Sequence, residues 1–271
     1  MAFNDISLTA GMRSNLISLQ GTVDLLNRTQ ERLSTGKKVN SALDNPTSFF
    51  AAQGLNQRAS DLAALKDGMG QAIQTVKAAN AGITGITALI ESAKGIAQAA
   101  LSASDTTTRA SYSAQFDAIR TQVTNLAADS GYKGTNLLNG DNLTVTFNEA
   151  GSNSLTITGT ATGAGLTLTA SVNSWATNGN IQASLTELTA ATTSLRNSSS
   201  SLSSNLATVN SRLDFTTGMV STLTGGADKL TLADMNEEGA NMLMLQTRQS
   251  LSTSALSMSA QAAQSVLRLF Q

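Results

Sequence analysis

Apolar residues recur along this chain at alternating steps of four and three, the spacing of a coiled-coil-like helical seam. One series runs Leu55, Ala59, Leu62, Lys66, Met69, Ile73, Val76, Asn80, Ile83, Thr87, Ile90, Lys94 and Ala97, with polar residues at four of its positions. A second runs Ile181, Leu185, Leu188, Thr192, Leu195, Ser199, Leu202, Leu206, Val209, Leu213, Thr216, Val220 and Leu223. Each covers about 43 residues, roughly 65 Å at about 1.5 Å per residue, so the pattern predicts two long helices of matching length lying side by side. Tyr112, Phe116, Ile119, Val123 and Leu126 keep the same steps and predict a shorter helix that joins them.

The chain ends repeat the theme. Leu16, Leu19, Val23, Leu26 and Leu33 fit one heptad frame, with Gln30 at the missing step. Near the other end Leu256, Ala263, Leu267 and Phe270 form one stripe, and Leu251, Ala255, Met258, Ala262 and Leu269 form its neighbour. A helix apolar over so wide an arc is normally buried on several sides. A thin monomer holds too little protein to do that for the C-terminal helix, and both terminal stripes, lying outside the main bundle's sequence span, are read as contacts between subunits. On their own these helices should fray, because helix stability comes mostly from packing.

Punctuation agrees. Gly36 stands where a left-handed C-terminal cap belongs, and Lys37-Lys38 suit the negative end of that helix. Asp44-Asn45-Pro46 offers a cap followed by proline at a first helical position, where its missing N–H costs nothing. Residues 36–44 therefore read as a connector between two helical layers. Gly131 with Gly134 should end the third helix, and Gly225-Gly226 the second long one. Between helices, Leu143-Thr-Val-Thr-Phe147, Leu155-Thr-Ile-Thr158 and Leu166-Thr-Leu-Thr169 alternate with period two and predict short strands. The expected fold is mainly α: a long antiparallel helical bundle, coiled-coil-like, of N- and C-terminal segments with a small β-rich inserted lobe. That lobe needs the helices beneath it for stability.

Composition narrows the chemistry. Over 271 residues the net charge is −1 and only 13% of residues are charged, so no basic field exists for nucleic acid or anionic lipid. There is no cysteine and no histidine. This removes thiolates, the commonest general base and metal ligand, and every Ser-His or Cys-His pair. No cofactor and no metal are expected. One proline leaves little to interrupt long helices, and Ser with Thr make up a quarter of the chain, suiting thin bundles with small side chains at their seams. The start lacks the basic and apolar regions of a cleavable signal, and no apolar run approaches the roughly 18 residues of a membrane helix, so no membrane insertion is expected. Glu237-Glu238 read as an acidic first turn near Asp234, favoured by the helix dipole. Gly68-Met69-Gly70 lies inside a helical stripe and lacks the Gly-Lys-Ser/Thr of a phosphate loop.

Five short segments carry a family likeness. Glu31-Arg32-Leu33-Ser34-Thr35-Gly36-Lys37-Lys38-Val39-Asn40-Ser41-Ala42-Leu43-Asp44-Asn45-Pro46 resembles the N-terminal signature of bacterial flagellins. Ala233-Asp234-Met235, Leu245-Gln246-Thr247-Arg248-Gln249-Ser250-Leu251 and Gln261-Ala262-Ala263-Gln264-Ser265-Val266-Leu267 resemble the C-terminal one. Tyr132-Lys133-Gly134-Thr135-Asn136-Leu137-Leu138 is similar to the segment that closes the family's N-terminal helical region. The likeness covers residues 1–138 and 181–271; the middle carries none.

The resemblance implies a secreted, extracellular structural subunit that self-assembles into the flagellar filament for motility and is exported unfolded through the channel. It implies a terminal coiled-coil domain with connector (1–44 with 235–271), a helical tube domain (45–138 with 181–234) and an outer β-rich variable lobe (139–180). The filament interface would then include Leu16, Leu19, Val23, Leu26, Leu33, Leu251, Leu256, Ala263, Leu267 and Phe270. Implied partners are identical or related flagellin subunits, flagellar cap and hook-junction proteins, and an export chaperone. A hook–filament junction protein and a secreted adhesin are the competing readings, and an enzyme is disfavoured. Ser198-Ser199-Ser200-Ser201 read as small residues filling a helix seam or face, with the O-glycosylation known in some flagellins as the alternative. Flagellins that strongly stimulate the vertebrate flagellin receptor carry Gln-Arg-x-Arg-Glu-Leu; the aligned stretch here, Glu91, Ser92, Ala93, Lys94, Gly95 and Ile96, lacks the first Arg and the Glu. Weak receptor stimulation is expected.

Overall fold

The computed structural model describes residues 10–160 and 168–269. Helix α1 spans Ala10–Thr35, α2 Pro46–Ser102 and α3 Thr106–Asp129; after strands β1 (Leu143–Thr146) and β2 (Ser154–Ile157) come α4 (Asn178–Thr231) and α5 (Met235–Leu269). The fold is mainly α with one small antiparallel hairpin, in the register Leu143↔Ile157 to Thr146↔Ser154. The chain forms two compact units, one of Arg58–Thr222 and one of Met1–Gln57 with Leu223–Gln271.

Within the Arg58–Thr222 unit, the two long seams become core. Met69, Ile73, Val76, Ile83 and Ile90 of α2 are buried with Ile181, Leu188, Leu195, Leu202 and Val209 of α4. The polar interruptions are used as well: Ser199 Oγ donates to Asn80 Oδ1 across the seam at 3.3 Å. A polar pair at such positions fixes register, because a slip would leave both groups unsatisfied in an apolar seam. Helix α3 closes over them with Phe116 fully buried and Val123 buried. Its start is capped by Asp105, which accepts from the Thr108 N–H at 2.9 Å; that bond holds the carboxyl below the usual carboxylate range. Its end meets α2 at Gly82, where a Cβ would collide with Ser130.

The hairpin lies on the same core, with Val145 and Ile157 buried and the Thr144 and Thr156 hydroxyls paired outside at 3.4 Å. Its loop is tied to α2 by Arg58–Glu149 at 2.8 Å and to α4 by Arg212 over the Phe147 ring at 5.3 Å. The Glu149 carboxyl lies below its ordinary range because its own backbone N–H and then Arg58 donate to it. Of the expected third strand, Leu166 and Thr167 lie outside the described residues. Leu168 and Thr169 are not paired as a strand; Thr169 instead donates its N–H and hydroxyl to Glu187 at 3.0 and 2.8 Å. A left-handed turn follows, with φ near +50° at Asn173, Ser174 and Trp175. It drives Trp175 fully into the core against Phe116, ring centroids 4.9 Å apart, and its indole N–H reaches Ser184 Oγ.

One expected boundary is wrong. Gly225-Gly226 do not end the second long helix, which continues to Thr231. A helical glycine costs only about 1 kcal/mol against alanine, so the pair weakens the helix locally without ending it. The third helix ends at Asp129, just ahead of the expected glycines; Gly134, at φ +83°, serves instead in a tight Tyr132–Thr135 turn with Lys133.

Candidate functional site

The site is built from the unit that holds both chain ends. Helix α1 ends as expected: Gly36, at φ +69°, donates its N–H to the Arg32 carbonyl at 2.8 Å, a left-handed cap. The next residues then pair with the segment between α4 and α5. Lys38 donates its N–H to the Thr231 carbonyl at 2.7 Å, and Ala233 donates to the Gly36 carbonyl at 2.9 Å. Asp44 folds the rest of the connector back on itself, accepting the N–H groups of Ser41 and Asn40 at 2.9 and 3.0 Å. The Ser41 bond and then the Asn40 bond hold this carboxyl below the usual range. Asn45 caps α2 through the Ser48 N–H at 3.0 Å, with Pro46 as its first residue.

Asp234 caps α5, accepting the Asn236 N–H at 2.9 Å, and Glu237 and Glu238 occupy the acidic first turn. Glu238 does more than complement the dipole. Its side chain is 9% exposed and binds Arg32, in the last turn of α1, at 2.8 Å. This clamp joins the two terminal helices, and sequence reasoning missed it. Its available signal was a cation closing one terminal helix and a carboxylate opening the other.

The two helices pack on each other, yet bury little. Leu16, Leu19, Val23, Leu26 and Leu33 are half-buried, while Met12, Thr22 and Thr29 are buried. Thr22 is satisfied locally, donating to the Ser18 carbonyl at 2.8 Å, which lets a hydroxyl sit in an apolar contact. On α5, Leu245 is buried, Leu256 half-buried and Leu251 exposed. The side chains of Ala263 and Leu267, and Phe270 altogether, lie outside the described residues. A further apolar set stands in solvent: Ile17 at 69%, Leu243 at 67%, Leu251 at 66% and Met258 at 64% exposure, with Leu25 and Met244 about half exposed. Ile17 and Leu25 flank the α1 heptad frame rather than belonging to it.

The receptor-equivalent segment lies on α2 in the other unit. Glu91 and Ser92 are exposed, Lys94 and Ile96 half-buried, and Lys94 Nζ pairs with Glu91 at 3.2 Å. Ser198 and Ser199 are engaged in the seam, Ser198 donating to Thr160 Oγ1 at 3.2 Å, while Ser200 and Ser201 are exposed. No helix among the described residues is long and apolar enough to cross a membrane.

Comparison with known proteins places this architecture. Residues 6–143 match the bacterial flagellin N-terminal helical region. Flagellins FljM and FljK of Caulobacter vibrioides are each 31% identical over the full length of both chains. A Brucella melitensis flagellin is 28% identical over 99% of this chain and 98% of its own. A solved Bacillus cereus flagellin aligns with 55% of this chain and 88% of its own, at 13% identity and a TM-score of 0.49. The family model spans half of the chain and full-length relatives exceed 30% identity, so the chain belongs to the bacterial flagellins.

Proposed function

We infer that this chain builds the bacterial flagellar filament by joining other flagellin subunits through its terminal helix pair. Filament building follows from family membership; the place of contact is our reading. One observation carries it. The α1–α5 pair leaves Ile17, Leu25, Leu243, Met244, Leu251 and Met258 in water, in a chain whose other long helices bury their seams. Each such side chain, already partly covered, gains about 1–2 kcal/mol on full burial. A head-to-tail contact repeated at every subunit multiplies that gain along the filament.

The same reading assigns residues 1–44 with 235–271 to the terminal coiled coil and connector, 45–138 with 181–234 to the surrounding tube, and 139–180 to the outer lobe. Leu16, Leu19, Val23, Leu26, Leu33, Leu251, Leu256, Ala263, Leu267 and Phe270 belong to the filament interface. The role is structural and the location the extracellular filament, reached by export in the unfolded state. An export chaperone covers α5 before assembly, a use supported by the exposure of Leu251 and Met258. Cap and hook-junction proteins meet the same terminal helices at the filament's ends.

Deleting residues 235–271 tests the assignment. Filaments vanish in sedimentation and electron microscopy, while the helical signal of Arg58–Thr222 and its unfolding transition persist. Long filaments from the truncated chain would end the assignment. Weak stimulation of the vertebrate flagellin receptor is a separate proposal. The stretch from Glu91 to Ile96 lacks two charged anchors, and losing one interface hot spot costs about 2 kcal/mol or more. A reporter-cell titration gives a potency well below that of a strong flagellin; equal potency refutes it.

A further inference from the structure

Between α1 and α5 lies a cleft of about 240 Å³ whose walls include Leu25, Arg28, Arg32, Glu238, Met244 and Arg248. Its charges do not balance. Glu238 is taken up by Arg32. Arg28 and Arg248 are exposed, and among the described residues no carboxylate lies within 4 Å of either. Arg28 acts on Asp44 only through space. Two guanidinium charges therefore stand beside the apolar walls of Leu25 and Met244, which strengthen the field felt by an incoming anion.

Two further features point to the anion's source. Every basic residue of α1 and α5 is arginine (Arg13, Arg28, Arg32, Arg248 and Arg268), while the adjoining connector carries Lys37 and Lys38. Arginine is weakly hydrated and presents a planar fork to a carboxylate, so it suits ion pairs that lose water at an interface. The same two helices also hold Asp24, Glu31 and Glu237, all exposed, and none has a cation within 4 Å among the described residues. The helix pair thus carries both a positive socket and unused carboxylates. Head-to-tail assembly can match them, because such contacts bring different faces of two identical subunits together.

We propose that the Arg28–Arg248 cleft is a socket for a carboxylate of a second copy of this chain, supplied by Asp24, Glu31 or Glu237 of the neighbouring subunit. This rests on the terminal pair being the assembly surface and adds what apolar burial lacks. Apolar contact is non-directional and tolerates sliding, whereas a clamped carboxylate sets the register between subunits.

The test uses full-length protein. Arg28→Glu with Arg248→Glu raises the critical concentration for filament growth by about tenfold or more, the scale of losing one charge-assisted contact. Arg28→Gln with Arg248→Gln raises it less and removes the weakening of assembly by added salt. Because both arginines are exposed and without an ion pair among the described residues, the monomer's circular dichroism stays that of the parent. Mixing the double Glu variant with Asp24→Lys, Glu31→Lys or Glu237→Lys protein restores growth for one of the three. Wild-type growth of the double Glu variant, or no restoration by any partner, overturns the socket. Leu243→Ser with Leu251→Ser serves as the control. If it is blocked while the charge variants assemble, only the socket fails; if it too assembles normally, the terminal-pair reading itself fails.

Discussion

The two units of this chain use the same materials and reach opposite ends. Each takes long heptad-patterned helices from both halves of the sequence, rich in Ser and Thr and poor in charge. In Arg58–Thr222 a further layer of α3, the β1–β2 hairpin and the Trp175 turn closes over α2 and α4, and Phe116, Ile157, Trp175, Ile181 and Leu188 are fully shielded. The terminal unit has no such layer among its described residues, and Leu243, Leu251 and Met258 remain in water. Two helices alone bury only one stripe of each other. The second stripe has to find cover elsewhere or stay wet, and the proposed contact between subunits would supply that cover.

Breaking the closed unit should cost most. Trp175→Ala empties a fully buried site beside Phe116 and leaves Ser184 without its indole partner, so urea unfolding followed by circular dichroism shows a loss of about 3–5 kcal/mol. A loss below about 1 kcal/mol would mean that the left-handed turn does not hold the core shut. The open unit yields to smaller pushes. Asp44 accepts two connector N–H groups and is held below the ordinary aspartate value, so its contribution is complete above about pH 4 and fades as pH falls through the lower folded value. Amide shifts of Asn40 and Ser41 should titrate over that acidic range, and Asp44→Asn should abolish the titration. A flat response in the parent chain would place the connector's order elsewhere.

The core was legible in the sequence because a sustained heptad leaves no other way to bury Met69, Ile83, Leu188 and Leu202 together. Caps were legible too, since Gly36 and Asn45 with Pro46 act through backbone chemistry within a few residues. Three things were not. Gly225-Gly226 read as a stop, yet a glycine inside a helix costs only about 1 kcal/mol against alanine and the helix runs on to Thr231. Arg32 and Glu238 meet across 206 positions, beyond any local pattern. The Trp175 turn depends on three consecutive left-handed residues, of which only Asn173 favours that conformation by type. For the terminal helices the frame through Leu16, Leu19 and Val23 located a stripe, yet periodicity alone does not say which stripe meets the partner helix and which meets water. Ile17 and Leu25, one place off that frame, are the more exposed.

Hydrogen exchange on dilute monomer and on assembled filament, compared segment by segment, bears most directly on the central claim. Amides of Ala10–Thr35 and Met235–Leu269 should gain strong protection on assembly, while those buried in Arg58–Thr222 are protected in both states. Terminal helices equally protected in the solitary chain would contradict the account.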